Sequence, residues 1–261
     1  MISVSITHYN NSRFIKDALT IIKDDDRINE IIINDDKSTP IELNEMANIV
    51  NNLNNKKIKV YQNNENLGNF INKIRTAMLC SNDWIILLDA DNKLTKDYID
   101  AIYKEKIINN GWDIDTIYAP CQAITFPGEI SPVLTFSFME GKYIDIKNIG
   151  DFINGDKFNK VNMDCCLNVG NYFVNKKKFL EVMKPFYNYN RGRLSNVDYL
   201  MTNTEWLVNG NKIKVVKNMR YYHRVHNDSC YHRSNQNEGQ QITKRCCIIL
   251  KQKSEESKQL K

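Results

Sequence analysis

The first hundred residues alternate between short apolar segments typical of strands and longer amphipathic segments typical of helices. The predicted strands are Ile2–Thr7, Ile28–Asn34, Ile58–Gln62 and Trp84–Leu88. The predicted helices between them run from Asn10-Asn11-Ser12 to about Ile22, from Ser38 to about Leu53, and from Gly68 to about Cys80. Strands separated by helices form parallel sheets with right-handed crossovers. This part of the chain therefore predicts an α/β fold of the nucleotide-binding type.

The remaining residues have a less regular pattern. Helices are predicted at about 95–109, 175–183, 196–208 and 241–253, and strands at 116–120 and 212–216. Residues 121–168 contain several Pro and Gly and are expected to form irregular structure with short strands. We expect residues 223–236 to form a mobile, positively charged loop.

The fourth predicted strand ends in the acidic segment Asp89-Ala90-Asp91-Asn92. Its apolar run, Trp84–Leu88, is typical of a strand buried on both faces. On an extended backbone, residues two apart point to the same side, so Asp89 and Asp91 are predicted to converge at the carboxyl end of the strand, where open α/β sheets bind ligands. Two converging carboxylates favour a divalent cation with a nucleotide diphosphate, although such a triplet can also end a strand in a turn.

The net charge of +5 is concentrated at the C-terminal end. Residues 211–261 carry 12 Lys and Arg against 4 Asp and Glu, whereas the preceding residues carry 24 against 27. Such a basic tail favours phosphate, in a ligand, an acidic polymer or a membrane surface. No apolar run is long enough to span a bilayer, and we expect no secretory leader. The seven cysteines lack CxxC spacing, which favours reduced thiols in a cytoplasmic protein over a zinc site.

Four sequence blocks in a fixed order are similar to those of the family 2 glycosyltransferases, inverting enzymes of the GT-A fold. They are Ser3–Asn10, Ile33–Thr39, Asn66-Leu67-Gly68 and Trp84–Asp91. The resemblance implies a Rossmann-like, mainly parallel central sheet flanked by helices, with a smaller acceptor-side region and a C-terminal helix. It also implies transfer of a sugar from a nucleotide donor, usually a UDP-sugar, to a hydroxyl of a glycan, protein or lipid-linked acceptor.

This resemblance implies one domain over residues 1–261. Residues 1–95 would form the nucleotide-sugar-binding half, 96–235 the acceptor-binding and catalytic half, and 236–261 a basic helix or tail. The protein would be free in the cytoplasm or peripheral at a membrane surface.

The resemblance implies a base pocket lined by Thr7, Tyr9 and Asp36, with Asp36 accepting a base N–H. Asp35 lies beside them as a further ligand. Alternatively, Asp35 only terminates its strand and Ser38 caps the following helix.

Basic residues would contact the diphosphate. Lys73 stands where the family commonly has Arg, and it keeps the charge while losing the planar fork. It would face the nucleotide, or it is a solvated helix charge. Arg224 and Arg233 could clamp the phosphates by bidentate contact.

The resemblance also implies Mn²⁺ or Mg²⁺ as a cofactor that bridges the diphosphate oxygens and neutralises the leaving group. Asp91 would bind the ion directly, and Asp89 would contact the ribose or, through water, the ion. His226 is the predicted third ligand and His223 the second choice. The alternative is a polar surface loop whose histidines have no specific role.

Asp198 is the predicted catalytic base. The family places an acidic pair about a dozen residues before a Gly, and here Asp198 alone precedes Gly210. It would take the proton of the acceptor hydroxyl, or it is a helix-terminal Asp favoured by the macrodipole. Glu205 and Asp164 are the reserve candidates. Because the second acid is missing, a donor-binding protein without turnover is an alternative.

The last predicted helix carries an apolar stripe of Ile242, Cys246, Ile249 and Leu250 among basic residues. The stripe could pack on the domain or contact a membrane, which would suit a lipid-linked acceptor. A nucleic-acid-binding protein could use the basic tail, but the chain lacks an interleaved aromatic and basic platform. A nucleotidyltransferase would need a Gly-rich loop after the first strand, and residues 7–11 contain no glycine.

Overall fold

The computed structural model describes residues 1–126, 132–135, 139–150, 170–188, 198–224, 226 and 236–259, with the backbone alone at 132–135 and 236–237. The helices are α1 Ser12–Ile22, α2 Pro40–Leu53, α3 Asn69–Leu79, α4 Lys96–Ile108, α5 Lys176–Met183, α6 Asp198–Val208 and α7 Gln236–Gln259. The strands are β1 Ile2–His8, β2 Ile28–Asp35, β3 Ile58–Gln62, β4 Trp84–Asp89, β5 Lys93–Leu94, β6 Thr116–Phe126, β7 Pro132–Thr135, β8 Tyr143–Ile144, β9 Phe173–Asn175 and β10 Lys212–Arg224.

Within the described residues, ten strands form one mixed sheet in the order β3-β2-β1-β4-β9-β6-β10-β5, with β7 beside β6 and β8 beside β10. The four strands of the first half are parallel, as predicted. Thr7 lies opposite both Asn34 and Asp89, so the polar ends of β1, β2 and β4 meet at one edge of the sheet.

Helices cover both faces of the sheet. On one face, α3, α5, α6 and α7 pack against alternate strand residues such as Ile85 and Leu87. On the other, α1, α2 and α4 pack against Ile86 and Leu88. The apolar run of β4 is therefore buried on both sides, as its sequence predicts.

Two strands of the second half are longer than predicted. β6 continues past Pro120 to Phe126, and β10 continues past Val216 to Arg224 in parallel with it. Pro120 lies opposite Val216, where the register between the two strands shifts. A proline is tolerated at such an irregularity because its missing N–H breaks no regular ladder bond. The short β9, which was not predicted, pairs antiparallel with β4 and links it to β6.

The apolar stripe of the last helix packs on the domain. Cys246 and Leu250 are buried in the same core as α6, and Ile242 packs against it, whereas Ile248 on the outer side is 56% exposed. The helix begins at Gln236, before the predicted Gln241. Residues 223 and 224 belong to β10 rather than to the predicted loop, and the rest of that loop apart from 226 and 236 lies outside the described residues.

No described helix combines the length and apolarity needed to cross a membrane. Cys80, Cys121 and Cys246 are buried free thiols. Cys165, Cys166 and Cys230 lie outside the described residues.

Candidate active site

The candidate site lies at the edge of the sheet where β1, β2 and β4 end. β4 ends at Asp89, and residues 90 and 91 form a turn closed by a hydrogen bond from Asn92 N–H to Asp89 O of 3.0 Å. The strand geometry that was expected to align Asp89 and Asp91 therefore does not extend to Asp91. The two carboxylates have different partners.

Asp89 is held from three sides. Its Oδ1 accepts a hydrogen bond from Thr7 Oγ1 at 3.3 Å and lies 2.7 Å from Lys73 Nζ. Its Oδ2 accepts from the Tyr199 hydroxyl at 3.2 Å. Thr7 thus contacts the acidic segment directly, as expected from their register on neighbouring strands.

Lys73 bridges Asp89 to Asp198. Its ammonium forms an ion pair with Asp198 Oδ2 as well as with Asp89, and the Lys73 side chain is only 5% exposed. The alternative of a solvated helix charge is therefore wrong. Burial opposes the charged form of Lys73, but attraction to Asp198 and Asp89 outweighs it and raises the pKa of the ammonium above its usual value.

Asp198 begins α6 and is buried beside Lys73. Its Oδ2 also accepts from Asn69 Nδ2 at 3.1 Å. Burial raises the pKa of the Asp198 carboxyl, Lys73 opposes that rise, and the Asp89 charge adds to it. Of the reserve candidates, the Glu205 carboxylate accepts a hydrogen bond at 3.0 Å from Asn209 Nδ2, just past the end of α6, and Asp164 lies outside the described residues.

Asp35 ends β2 inside a local hydrogen-bond network. Its carboxylate contacts His8 Nδ1 at 2.8 Å and accepts from the Ser38 hydroxyl and from Gln62 Nε2. Burial would raise its pKa, but these hydrogen bonds lower it to about 2. These contacts of the fully buried Asp35 are those expected of the strand-terminating alternative, and its role as a ligand stays a prediction. The cap of α2 is Thr39, not the predicted Ser38.

Asp36 connects the second and third sequence blocks. It accepts hydrogen bonds from the backbone N–H groups of Leu67 and Gly68, each at 2.8 Å, and from Asn63 Nδ2 at 2.9 Å. Gly68 has φ 81, a conformation that favours glycine. Burial raises the pKa of Asp36 despite these bonds. Contact between Asp36 and a base stays a prediction, as does a role for the half-buried Tyr9.

Arg224, the predicted phosphate contact, is paired with protein groups, and its contact with a phosphate stays a prediction. Its guanidinium pairs with Asp17 Oδ2 at 2.5 Å and donates from Nε to Asp91 O at 3.2 Å. The guanidinium also lies 4.3 Å from the ring centroid of Phe14 and 4.6 Å from that of Phe126. Since Arg224 is 8% exposed and satisfied by these partners, it anchors β10 to α1 and the acidic turn. Arg233 lies outside the described residues.

His226 lies next to Asp91. Its Nε2 is 3.3 Å from Asp91 Oδ2, and its side chain is 11% exposed. His223, the second choice, packs edge-on against Tyr221. The described residues contain no group of three or more His, Cys, Asp or Glu side chains that could hold a metal ion. The Asp91–His226 pair offers one oxygen and one nitrogen donor, which suit Mn²⁺ or Mg²⁺ when a ligand supplies further oxygens.

Three residues of the site were not predicted. Tyr199 and Asn171 contact Asp89, and Gly170 contacts the Tyr199 ring. Tyr199 directly follows the predicted base, but no spacing in the sequence connects residues 170 and 171 with the acidic turn.

The sequence profile described as Glycosyl transferase family 2 matches residues 3–147. This match spans more than half of the 261 residues, and the chain belongs to that family. It thus contains a family 2 glycosyltransferase domain, which confirms the predicted family and GT-A fold class. No curated protein matches the chain in sequence.

Similar solved structures contain UDP. S. aureus TarS 1-349 in complex with UDP-GlcNAc has a TM-score of 0.64 and 16% identity, over 95% of this chain and 66% of that one. The TarS 1-349 complex with UDP has a TM-score of 0.59 and 15% identity, over 95% and 64%. GalNAc-T7 with UDP, GalNAc and Mn²⁺ has a TM-score of 0.59 and 15% identity, over 86% of this chain and 43% of that one. At these identities the likeness shows the fold alone, and the chain spans 66% or less of those chains' lengths.

Proposed function

We propose that the protein is a metal-dependent, inverting glycosyltransferase that moves a sugar from UDP to a hydroxyl acceptor. The observation that carries the proposal is the Lys73 bridge, which holds Asp89 of the nucleotide half beside Asp198 of the second half in a domain of family 2. A donor bound at the carboxyl ends of β1, β2 and β4 would lie beside these groups.

Asp91 and His226 would hold the divalent ion, which supplies positive charge to the diphosphate oxygens of the donor. The TarS complex with UDP-GlcNAc and the GalNAc-T7 complex with UDP and Mn²⁺ support this choice of donor and cofactor. Thr7 and Lys73 would keep Asp89 oriented toward the donor.

Asp198 would act as the base. The acceptor hydroxyl would give its proton to the carboxylate as its oxygen attacks the anomeric carbon, and the bond from that carbon to the diphosphate oxygen would break. A single displacement of this kind inverts the anomeric centre. Burial raises the pKa of Asp198 and strengthens it as a proton acceptor, while Lys73 favours its ionised form.

A glycan, a protein or a lipid-linked sugar would serve as the acceptor. A lipid-linked acceptor would require contact with a membrane. Because the apolar stripe of α7 is buried, such a contact would use the basic outer side of this helix.

A thermal-shift panel of UDP, GDP, CDP and TDP, each with and without Mn²⁺, tests the donor site. We expect UDP with Mn²⁺ to give the largest rise in Tm, because a ligand that binds only the folded state stabilises it. Asp91→Asn should abolish the Mn²⁺-dependent part of that rise, whereas Asp26→Asn, at an exposed position, should not. Equal shifts for all four nucleotides with and without metal would contradict the proposal.

A donor-binding protein without turnover is the second candidate. It is favoured by the burial of Asp198 and its ion pair with Lys73, which would hinder access of an acceptor. Hydrolysis of UDP-sugars separates the two functions, because it requires turnover and no acceptor.

A further inference from the structure

Tyr199 contacts two charged groups of the proposed site. Its hydroxyl donates to Asp89 Oδ2 at 3.2 Å, whereas Lys73 contacts Oδ1 of the same carboxylate. The Lys73 ammonium lies 4.1 Å from the centroid of the Tyr199 ring, within the range of a cation–π interaction. One side chain therefore limits the movement of both the carboxylate and the cation.

The segment 170–171 determines where the Tyr199 side chain lies. A Cβ atom at Gly170 would be 2.6 Å from Cε2 and 2.9 Å from Cζ of Tyr199, closer than two carbons approach. The absence of a side chain at Gly170 therefore allows the ring to occupy its place.

Asn171 completes the arrangement. Its backbone N–H donates to the Tyr199 hydroxyl at 3.1 Å, and its Oδ1 accepts from the Asp89 N–H at 3.2 Å. The Tyr199 hydroxyl thus accepts one hydrogen bond and uses its only proton on Asp89. Asn171 is fully buried with φ 60, a conformation that costs energy in most residues and is retained where the surroundings require it.

We propose that Tyr199, seated on Gly170 and fixed by Asn171, is a positioning residue that orients Asp89 and Lys73 for binding of the donor diphosphate. This inference rests on the proposed function. Tyr199 itself would not touch the reacting atoms, and its effect would pass through Asp89.

Tyr172 provides a matched control. It is a neighbouring buried tyrosine whose ring packs edge-on against Tyr199 at 5.2 Å, and its hydroxyl accepts from Asn203 Nδ2 at 2.6 Å. Tyr172→Phe and Tyr199→Phe each remove one buried, hydrogen-bonded hydroxyl, but only the second removes a contact with Asp89. A purely structural role would make the two variants alike.

Titration calorimetry of UDP in the presence of Mn²⁺ tests the inference. We expect Tyr199→Phe to weaken UDP binding about fivefold or more, the loss of one hydrogen bond to a charged group, with Tyr172→Phe within about twofold of wild type. Gly170→Ala should reproduce the Tyr199→Phe effect, because the methyl group displaces the ring. Equal affinities for the two Phe variants would overturn the inference.

A second measurement needs no donor. In urea unfolding, a double-mutant cycle of Tyr199→Phe with Asp89→Asn should show at least about twofold non-additivity in the unfolding equilibrium constant. Additivity would overturn the inference even if binding were weakened. A wild-type protein that binds no UDP would overturn the proposed function and the donor part of the inference, while the cycle separately tests the Tyr199–Asp89 contact.

Discussion

At the scale of single residues, the candidate site depends on one buried cation shared by two acids. Asp89 and Asp198 would repel each other without Lys73, since both are carboxylates in a site largely shielded from water. Breaking a buried ion pair leaves an uncompensated charge, which costs more than the loss of a surface pair.

Lys73→Met should therefore destabilise the protein by about 3 kcal/mol or more, because the two carboxylates lose their common partner. Adding Asp198→Asn to Lys73→Met should recover part of that loss. Urea unfolding measures both, and Lys104→Met, at an exposed position of α4, serves as the control. A single Lys73→Met variant as stable as wild type would contradict the shared ion pair.

Asp198→Asn should lower kcat by at least about 100-fold, because the amide cannot accept the acceptor's proton. The Kd for UDP should change less than about threefold, since the amide oxygen of Asn can still accept a hydrogen bond from Lys73 and residue 198 would not itself contact the donor. Glu205→Gln, on the same helix, should keep kcat within about twofold of wild type. The opposite ranking of these two variants would assign the base to Glu205.

At the scale of elements, the ends of strands and helices were the least predictable feature. Periodicity and caps located the first four strands and their helices to within about two residues, because these signals are local. β6 and β10 extend further because each supplies the other's hydrogen bonds past Pro120. β9 has three residues, too few to give a pattern of its own.

The last helix illustrates the same limit, since its apolar stripe alone is compatible with packing or with membrane contact. Because Leu250 is fully buried in the core shared with α6, Leu250→Ala should destabilise the protein by about 3 kcal/mol. Ile248→Ala, on the exposed side, should change stability by less than about 0.5 kcal/mol. Equal losses of stability for Leu250→Ala and Ile248→Ala in urea unfolding would contradict the packing of this helix.

At the scale of the whole molecule, the two edges of the sheet have different roles. The carboxyl ends of the strands carry the candidate site. At the other edge, Glu30 joins neighbouring elements by accepting hydrogen bonds from Ser3 Oγ at 2.6 Å, Ser81 N–H at 2.7 Å and Lys59 Nζ at 2.9 Å. Burial opposes ionisation of Glu30, but these bonds outweigh it and lower its pKa to about 2.

Glu30 should therefore make the stability of the protein depend on acidic pH. A carboxylate with a lowered pKa in the folded state stabilises the fold above the unfolded pKa of about 4.3, and this contribution is lost as pH falls toward about 2. Glu30→Gln should lower the free energy of unfolding by about 2 kcal/mol at neutral pH and by less in acid. Urea unfolding from pH 7 to about pH 2 measures the difference. The control variant Glu65→Gln, at an exposed position, should have the same free energy of unfolding as wild type at every pH. A difference between Glu30→Gln and wild type that does not change with pH would contradict the role of Glu30.

The sequence by itself determined the order of strands and helices in the nucleotide half, the polar ends of those strands and the family, because each depends on residues close together in the chain. Only the tertiary structure decided which charges meet. Lys73 and Asp198 are 125 positions apart, Arg224 pairs with Asp17 of α1, and Tyr199 of α6 contacts Asp89 at the end of β4. Such contacts depend on how distant elements pack, and no local pattern encodes that packing.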